Sequence, residues 1–174
     1  MIARGDLRSL IRNVPDFPEP GILFRDITPL LADAAAFSRS LDWMAELASA
    51  RGASAVVGIE SRGFIFGAPL AARLGVGFVP VRKQGKLPHA AHAEEYVLEY
   101  GTNTLEIHQD ALSAGERVLI VDDLLATGGT ARATTRLVAM TGAEVAGLAF
   151  LLELSELSGR GLLDGFPVDA LITY

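Results

Sequence analysis

Short apolar runs that alternate with helical patterns constrain the fold of this chain more than any other feature. AVVGI at residues 55–59 and RVLIV at residues 117–121 have the length and the β-branched content of buried strands. Helical spacing follows them, over residues 64–74 and 130–140. Strands that alternate with helices need crossover connections, so we predict an α/β fold with a mainly parallel central sheet flanked by helices. Ligands of such sheets bind beyond the carboxyl ends of the strands.

Weaker patterns complete the predicted order of elements. A long helix is expected from a cap at Asp33 to about residue 51. Residues 82–94 show no clear period and are predicted to form a loop. The other predicted elements are a short helix at 6–13, an irregular proline-rich stretch at 15–21, strands at 77–81, 96–100, 104–108, within 145–152 and at 168–173, and a weak helix at 159–163.

Composition favours one globular domain, residues 1–174. Half of the residues (50%) are apolar and 21% are charged, which is typical of a chain with its own core. The absence of cysteine excludes disulfides and thiolate zinc sites. The 15 basic and 21 acidic residues give a net charge of −6, which argues against a nucleic-acid partner. Because the chain lacks a leader-like or membrane-spanning apolar stretch, we expect no membrane contact and a cytoplasmic location.

The segment VLIVDDLLATGGTARAT carries the clearest chemical signal. Its predicted strand ends in two carboxylates, Asp122 and Asp123, and the sequence TGGT at residues 127–130 precedes a predicted helix. Adjacent glycines let backbone amides turn toward a ligand, and the helix start adds its positive dipole end, so this loop suits a phosphate. The carboxylates suit hydroxyl groups or a metal ion, and a sugar phosphate would satisfy both halves. No lysine follows the glycines, which excludes a Walker motif, and a plain helix cap is the alternative.

Two further clusters suit anions. The sequence SRG at residues 61–63 follows a predicted buried strand and opens a helix, so helix amides and a guanidinium would form a second anion site. The alternative is a capping serine beside a surface arginine. Arg82, Lys83 and Lys86 form a cationic run that suits a doubly phosphorylated ligand, or else is an ordinary solvated loop.

One protein family resembles this chain at several motifs. The segment VLIVDDLLATGGT resembles the motif that binds phosphoribosyl pyrophosphate (PRPP) in type I phosphoribosyltransferases. Within it, DDLLATGGT is similar to the sequence of this motif in members that use adenine. Similar pieces follow in the family's order: FRDITPLL at 24–31, ESRGFIFG at 60–67, RKQGKLP at 82–88, LEYG at 98–101 and LLELSELSGR at 151–160. The resemblance implies a type I phosphoribosyltransferase-like fold, with a small hood for base recognition at about residues 1–30 and a flexible lid loop at about residues 82–100.

The same resemblance implies a reaction. It implies transfer of the 5-phosphoribosyl group from PRPP to adenine, which gives AMP and pyrophosphate in purine salvage. It implies Mg²⁺ as the cofactor, with no direct protein ligands and held mainly by PRPP, pyrophosphate and water near Asp122 and Asp123. A homodimer is implied as well, in which one cation of the lid reaches the neighbouring subunit, and so is a cis peptide bond between Glu60 and Ser61.

Roles for individual residues follow from the resemblance too. Glu99 is the implied group for proton transfer, and Arg62, Arg82 and Lys86 are implied to share the charge that develops on the leaving group. The residues implied to contact PRPP or AMP are Ser61, Arg62, Gly63, Arg82, Lys83, Lys86, Tyr100, Asp122, Asp123, Ala126, Thr127, Gly128, Gly129 and Thr130. The residues implied near adenine are Leu23, Phe24, Arg25, Ala126, Glu153 and Leu154.

Two alternatives stay open at this point. One is transfer to another base, such as xanthine, guanine or orotate. An adenine site needs acceptors for the exocyclic amine, whereas an oxopurine site favours a lysine. Glu153 and Leu154, and no lysine, follow the strand within 145–152, which favours adenine. The other alternative is a non-catalytic module that senses PRPP. The negative net charge, the lid cations and Glu99 disfavour it.

Overall fold

A computed structural model of the protein describes residues 7–97 and 101–174. They fall into two compact units that divide between Trp43 and Met44. The first unit contains an antiparallel ribbon and a short helix. Its elements are β1 (Arg12–Pro15), β2 (Leu23–Asp26) and α1 (Thr28–Ala32), followed by α2 (Ala34–Ala50), which crosses the division between the units.

Pairing between β1 and β2 overrides the short helix predicted at residues 6–13. Among the described residues of this range, 7–13, Leu7 and Arg8 alone are helical, and Arg12 already pairs with Asp26 in the ribbon. That prediction is therefore wrong over its second half, because cross-strand pairing outweighs a weak amphipathic pattern. The stretch predicted to be irregular at residues 15–21 lies between the two strands after Pro15, the last residue of β1, and contains a cis bond at Phe17–Pro18.

The long helix predicted after Asp33 is confirmed. The Asp33 carboxylate accepts a hydrogen bond of 2.9 Å from the amide of Ala36, which satisfies one of the free donors at the start of α2. The helix ends at Ala50, one residue before the expected end.

The second unit is built on a seven-stranded sheet with the order β5-β6-β4-β3-β7-β8-β9. Five neighbouring strands are parallel, and β5 and β6 pair antiparallel at one edge, so the mainly parallel sheet predicted from the sequence is confirmed. The strands are β3 (Ala55–Ile59), β4 (Gly77–Lys83), β5 (Ala91–Val97), β6 (Thr102–His108), β7 (Arg117–Leu125), β8 (Glu144–Glu153) and β9 (Val168–Thr173). The helical elements are α3 (Gly63–Leu74), α4 (Gly129–Met140) and the 3₁₀ segments Ser155–Leu157 and Gly159–Leu163.

The core of this unit lies on the central strands. All five residues of β3 are buried. In β8 the first residue is exposed and the second half-buried, and the remaining eight, from Ala146 to Glu153, are buried. Burying a side chain such as Ile120 or Phe150 stabilises the fold by about 1.5–3 kcal/mol. The continuous apolar strands are thus covered on both faces, as expected for parallel strands.

The loop predicted at residues 82–94 is wrong at both ends. Arg82 and Lys83 are the last residues of β4, and Ala91 begins β5, where it pairs with His108 of β6. The sequence of β5 has no clear apolar period because this strand lies at the edge of the sheet, where ladder hydrogen bonds with β6 define it. Residues 98–100 of the strand predicted at 96–100 lie outside the described residues.

The strand predicted at residues 117–121 continues to Leu125. Its partner β8 runs equally far, with Leu125 opposite Glu153, so hydrogen bonding extends the strand past the two carboxylates. Asp122 and Asp123 therefore lie within β7 and not in a loop after it. The last strand is confirmed with its predicted bounds. Among the described residues no helix is long and apolar enough to cross a bilayer.

Candidate active site

A cavity of about 540 Å³ lies at the carboxyl ends of β3 and β7. These strands are parallel neighbours, so the loop that follows β3 and the segment that ends β7 meet at one edge of the sheet. Two motifs about 60 residues apart in the chain are thereby brought together. The predicted site residues that line the cavity are Ser61, Arg62, Lys83, Asp122, Asp123, Ala126, Thr127, Gly128, Gly129 and Thr130.

The phosphate-suited loop joins β7 to α4. Gly128 precedes the helix with φ +84°, a backbone conformation that favours glycine. The start of α4 has no side-chain cap hydrogen bond within the described part of the chain, and Gly128, Gly129 and Thr130 line the cavity. Free amides and the positive dipole end make this loop suited to an anion. The local backbone has the features that the TGGT sequence predicts, and the binding of a phosphate by this loop stays a prediction.

The two carboxylates of β7 differ in their partners. The Asp123 carboxylate is buried and its Oδ2 lies 2.8 Å from Nε of Arg62. Asp122 is half-buried, and its Oδ1 accepts a hydrogen bond of 2.9 Å from the Asp123 amide. Burial, followed by the charge of Asp123, raises the pKa of Asp122 well above its ordinary value. Burial also raises the pKa of Asp123, and the Arg62 guanidinium opposes that shift.

The raised pKa of Asp122 predicts a pH-dependent stability. The folded state favours the protonated acid, so stability falls as pH rises above the ordinary value of 3.8 and continues to fall until the raised folded pKa is passed. Asp122→Asn keeps an acceptor oxygen but cannot ionise. We expect this variant to melt about 2–4 °C above the original chain at neutral pH. Below about pH 4 the two melting temperatures should converge.

Differential scanning calorimetry across this pH range measures the effect. A variant that melts at or below the original chain at neutral pH would contradict the predicted destabilisation of the folded state by the ionised Asp122. Activity is measured on the same samples, because a gain in stability with a loss of turnover is the expected outcome when a charge is retained for its ligand.

Glu60 was not assigned a contact by the sequence reasoning, yet it lines the cavity. Its Oε2 accepts a hydrogen bond of 2.9 Å from the Lys83 amide and one of 3.2 Å from Nε of Arg82. Burial alone would raise the pKa of Glu60. The two hydrogen bonds outweigh that effect, the one from the Lys83 amide more than the one from Arg82, and lower the pKa below its ordinary value. Glu60 therefore ties the end of β3 to the cationic run. The sequence signal was an acidic residue just before the SRG tripeptide.

The remaining predicted anion contacts lie around this cluster. Nη1 of Arg82 donates to the Lys86 carbonyl at 3.3 Å. Within the described part of the chain, neither Arg82 nor Lys86 lines the cavity. Gly63 lies beneath the site: a Cβ there would approach the Val121 carbonyl oxygen to 2.7 Å, so only glycine lets α3 begin this close to β7. The Glu60–Ser61 peptide bond is cis, as the resemblance implied.

The antiparallel edge strands add lining residues that sequence reasoning missed. Tyr96 of β5 lies opposite Asn103 in the neighbouring strand β6, and both residues line the cavity. They were missed because the segment before them was predicted to be a loop. Glu99 and Tyr100, the implied proton-transfer group and a PRPP contact, lie outside the described residues.

The residues implied near adenine fall in different parts of the chain. Leu23, Phe24 and Arg25 form part of β2 in the first unit, where the Phe24 ring packs edge-on at 5.2 Å from that of Phe17 and Arg25 donates to the Asn13 side chain. Of the others, Ala126 lines the cavity in the second unit.

Glu153 has an internal partner. Its carboxylate accepts hydrogen bonds from Nε and Nη2 of Arg160 at 2.6 and 2.7 Å, and its exposed fraction is 5%. The amide of Leu154 donates to the Leu125 carbonyl at 3.0 Å. Neither Glu153 nor Leu154 belongs to the cavity lining in the described residues, and their contact with adenine stays a prediction.

A parallel sheet with two anion-suited loops at its carboxyl edge defines the class of α/β proteins that bind phosphorylated ligands there. The model of the phosphoribosyl transferase domain family matches residues 30–164 of the chain. The chain therefore belongs to the phosphoribosyl transferase family, and the family expected from its motifs is confirmed.

Individual relatives agree over nearly the whole length. An adenine phosphoribosyltransferase from a Synechococcus species is 57% identical over 169 residues, which are 97% of this chain and 99% of that protein. The crystal structure of adenine phosphoribosyltransferase from Thermoanaerobacter pseudethanolicus has a TM-score of 0.95 and 52% identity and covers 99% of this chain and 100% of its own. The Saccharomyces cerevisiae enzyme, complexed with D-2,5-dideoxy-2,5-imino-altritol 1,6-bisphosphate and adenine, has a TM-score of 0.92 and 42% identity over 97% of each chain. The predicted type I phosphoribosyltransferase fold is thereby confirmed.

Proposed function

We propose that this chain transfers the 5-phosphoribosyl group of PRPP to adenine and releases AMP and pyrophosphate, the purine-salvage reaction of adenine phosphoribosyltransferases. The names of its relatives support this reaction at 57% identity over 97% of the chain. The observation that carries the proposal is the meeting, in one cavity, of the loop after β3 and the carboxylate-and-glycine segment of β7. A doubly phosphorylated sugar has anionic groups for both loops and hydroxyl groups for the carboxylates between them.

The protein's part in this reaction is orientation and charge stabilisation. The amides at residues 127–130 bind the 5′-phosphate, and Asp122 and Asp123 accept hydrogen bonds from the ribose hydroxyls. Ser61 and Arg62, with the cationic run of Arg82, Lys83 and Lys86, face the pyrophosphate. Charge that develops on the leaving group is thereby met by preorganised donors, and holding both substrates in one cavity removes much of the entropic barrier.

Magnesium fits this site as an ion that arrives with its substrate. Within residues 7–97 and 101–174 no group of three acidic, histidine or cysteine side chains could enclose a metal. Mg²⁺ keeps several of its waters and binds readily to substrate phosphate oxygens, so Asp122 and Asp123 would accept hydrogen bonds from its water ligands and would not bind the ion directly. When bound, the ion neutralises charge on the pyrophosphate. Arg62 neutralises part of the carboxylate charge on the protein side.

The finer assignments are part of the same proposal. Glu99 transfers a proton at the purine, and Tyr100 contacts the PRPP or AMP moiety. The adenine edge is read by the backbone of residues 23–25. Ala126, Leu154 and the backbone of Glu153 lie near the ring, since the Glu153 carboxylate is held by Arg160. A homodimer in the cytoplasm is the expected state, and sedimentation equilibrium that gives the mass of one chain would contradict the dimer.

One assay tests the reaction against its alternatives. PRPP and Mg²⁺ are incubated with adenine, hypoxanthine, guanine, xanthine or orotate, and nucleotide formation is followed for each base. We expect AMP from adenine, with kcat/KM at least about a hundredfold above that for any oxopurine, since an unpaired acceptor or donor in a buried base site is costly. Faster turnover of another base would contradict the choice of adenine. Absence of product with every base would instead favour a PRPP-sensing module.

A further inference from the structure

The chain that follows β8 folds back onto the phosphate-suited loop between β7 and α4, which is called the phosphate-binding loop below. This segment, residues 155–163, consists of the two 3₁₀ turns and is called the hook below. It starts directly beside the loop, because Leu125 and Glu153 pair at the ends of β7 and β8 and the Leu154 amide donates to the Leu125 carbonyl at 3.0 Å. The hook is therefore placed by the same two strands that present the loop.

Gly159 of the hook packs against the loop backbone at a distance that no side chain allows. A Cβ at Gly159 would lie 2.1 Å from the Ala126 carbonyl oxygen and 3.0 Å from the Gly128 amide nitrogen. In the opposite direction, a Cβ at Gly128 would lie 2.3 Å from the Gly159 carbonyl oxygen. The two backbones thus fit together because both residues are glycine. The Ala126 carbonyl and the Gly128 amide, which flank Thr127, therefore both lie directly against Gly159.

An ion pair holds the hook in this position. Arg160 donates through Nε and Nη2 to the two carboxylate oxygens of Glu153, and through Nη1 to the Val168 carbonyl at 2.7 Å. Such a fork-to-fork pair fixes direction as well as distance. Glu153 is buried, whereas about half of the Arg160 side chain is exposed, so the carboxylate is the fixed partner and the arginine is anchored to it.

We propose that the hook positions the phosphate-binding loop, with Gly159 as the contact and the Arg160–Glu153 pair as its anchor. This inference rests on the proposed function, in which residues 127–130 bind the 5′-phosphate. The hook sets the directions of the amides at Gly128 and its neighbours, so it determines affinity for the ribose 5-phosphate moiety and not for the base. Gly159, Arg160 and Glu153 are positioning residues, since they act through the loop.

The matched pair Gly159→Ala and Gly161→Ala tests the contact. Both residues lie in the same 3₁₀ turn, neither has a positive φ, and a Cβ at Gly161 meets no atom within 4 Å. Ribose 5-phosphate is titrated into each protein by calorimetry. We expect Gly159→Ala to weaken its binding by about tenfold or more, because the loop amides are displaced from the charged group. Gly161→Ala should bind it as the original chain does.

Kinetics separate positioning from a general loss of folded protein. For Gly159→Ala we expect the KM for PRPP to rise by about tenfold, with the KM for adenine changed less than about twofold. A purely structural defect would lower the active fraction, and hence the apparent kcat, while leaving both KM values and the dissociation constant unchanged. That result, or equal binding of ribose 5-phosphate by the Gly159 and Gly161 variants, would overturn the inference.

The anchor offers a second route if alanine at position 159 prevents folding. Arg160→Lys keeps the charge beside Glu153 but loses the fork, and Arg160→Ala removes both. Ribose 5-phosphate should bind less tightly to the lysine variant by several-fold and less tightly again to the alanine variant. A folded Arg160→Ala protein with unchanged affinity would overturn the role of the anchor.

The same titration keeps the two proposals apart. Ribose 5-phosphate carries no base, so its binding is independent of the choice of adenine. If the original chain binds ribose 5-phosphate but forms no AMP, the proposed function alone is contradicted. The comparison of variants then still tests whether the hook positions the loop. An original chain that does not bind ribose 5-phosphate contradicts both proposals.

Discussion

Replacing Gly128 by alanine is expected to lower kcat/KM for AMP formation by at least about a hundredfold. Two effects combine at this position. The residue has φ +84°, where alanine costs about 1–2 kcal/mol, and its Cβ would approach the Gly159 carbonyl oxygen to 2.3 Å. Because the contacting oxygen belongs to the backbone, relief requires the loop or the hook to move. The amides that face the 5′-phosphate then lose their direction.

Gly75→Ala is the matched control for that experiment. Gly75 also has a positive φ, at +70°, but a Cβ there meets nothing within 4 Å. Its alanine variant should therefore show the backbone cost alone, measured as a lower free energy of unfolding with unchanged kcat/KM. Steady-state kinetics and urea unfolding on both variants separate the two effects. Equal losses of activity in the two variants would show that the contact with Gly159 has no functional consequence.

Arg62→Ala is expected to lower kcat/KM by about 10²–10³-fold. The guanidinium lines the cavity beside the proposed pyrophosphate position and lies 2.8 Å from the buried Asp123 carboxylate. Its removal takes away a cation and also leaves Asp123 without that partner, so the remaining negative charge repels the substrate. The loss should appear in kcat as well as in the KM for PRPP, because Arg62 is proposed both to bind the pyrophosphate and to stabilise the charge that develops on it; the KM for adenine should change little.

Two further variants make this result specific. Arg62→Lys keeps the charge but not the planar fork, and it should restore only part of the activity. Arg117→Ala removes the same charge at the first residue of β7, at the end of the strand remote from the phosphate-binding loop, and should keep activity within about twofold. An Arg62→Ala enzyme as active as the Arg117 variant would contradict the proposed role.

Most strands and helices of the second unit could be predicted because their patterns are local. Residues 55–59 are apolar throughout, since the strand is buried on both faces, and its predicted bounds are the observed ones. The elements that could not be predicted are strands whose conformation depends on pairing with a neighbouring strand. The strand at β5 depends on its ladder with β6, and the strand at β1 depends on its pairing with β2.

The candidate site divides in the same way. The loop at residues 127–130 was found from sequence because phosphate binding by backbone amides needs glycines and a helix start next to one another in the chain. The role of Glu60 was not found, because its partners Arg82 and Lys83 lie more than 20 residues further along the chain and reach it only across β3 and β4. The pairing of Glu153 with Arg160 was missed for a different reason, since the sequence suggested a base contact for that carboxylate.

Local sequence therefore defined the chemistry of the site: two carboxylates, a glycine-rich helix start and an SRG loop, each complete within a few residues. Tertiary structure alone decided how these pieces meet. The parallel pairing of β3 with β7 brings Arg62 to Asp123, and the course of the chain after β8 brings Gly159 onto Gly128. The physical reason is that backbone conformation and helix dipoles depend on neighbours in the chain, whereas ion pairs and close backbone packing depend on strand order, which no short segment encodes.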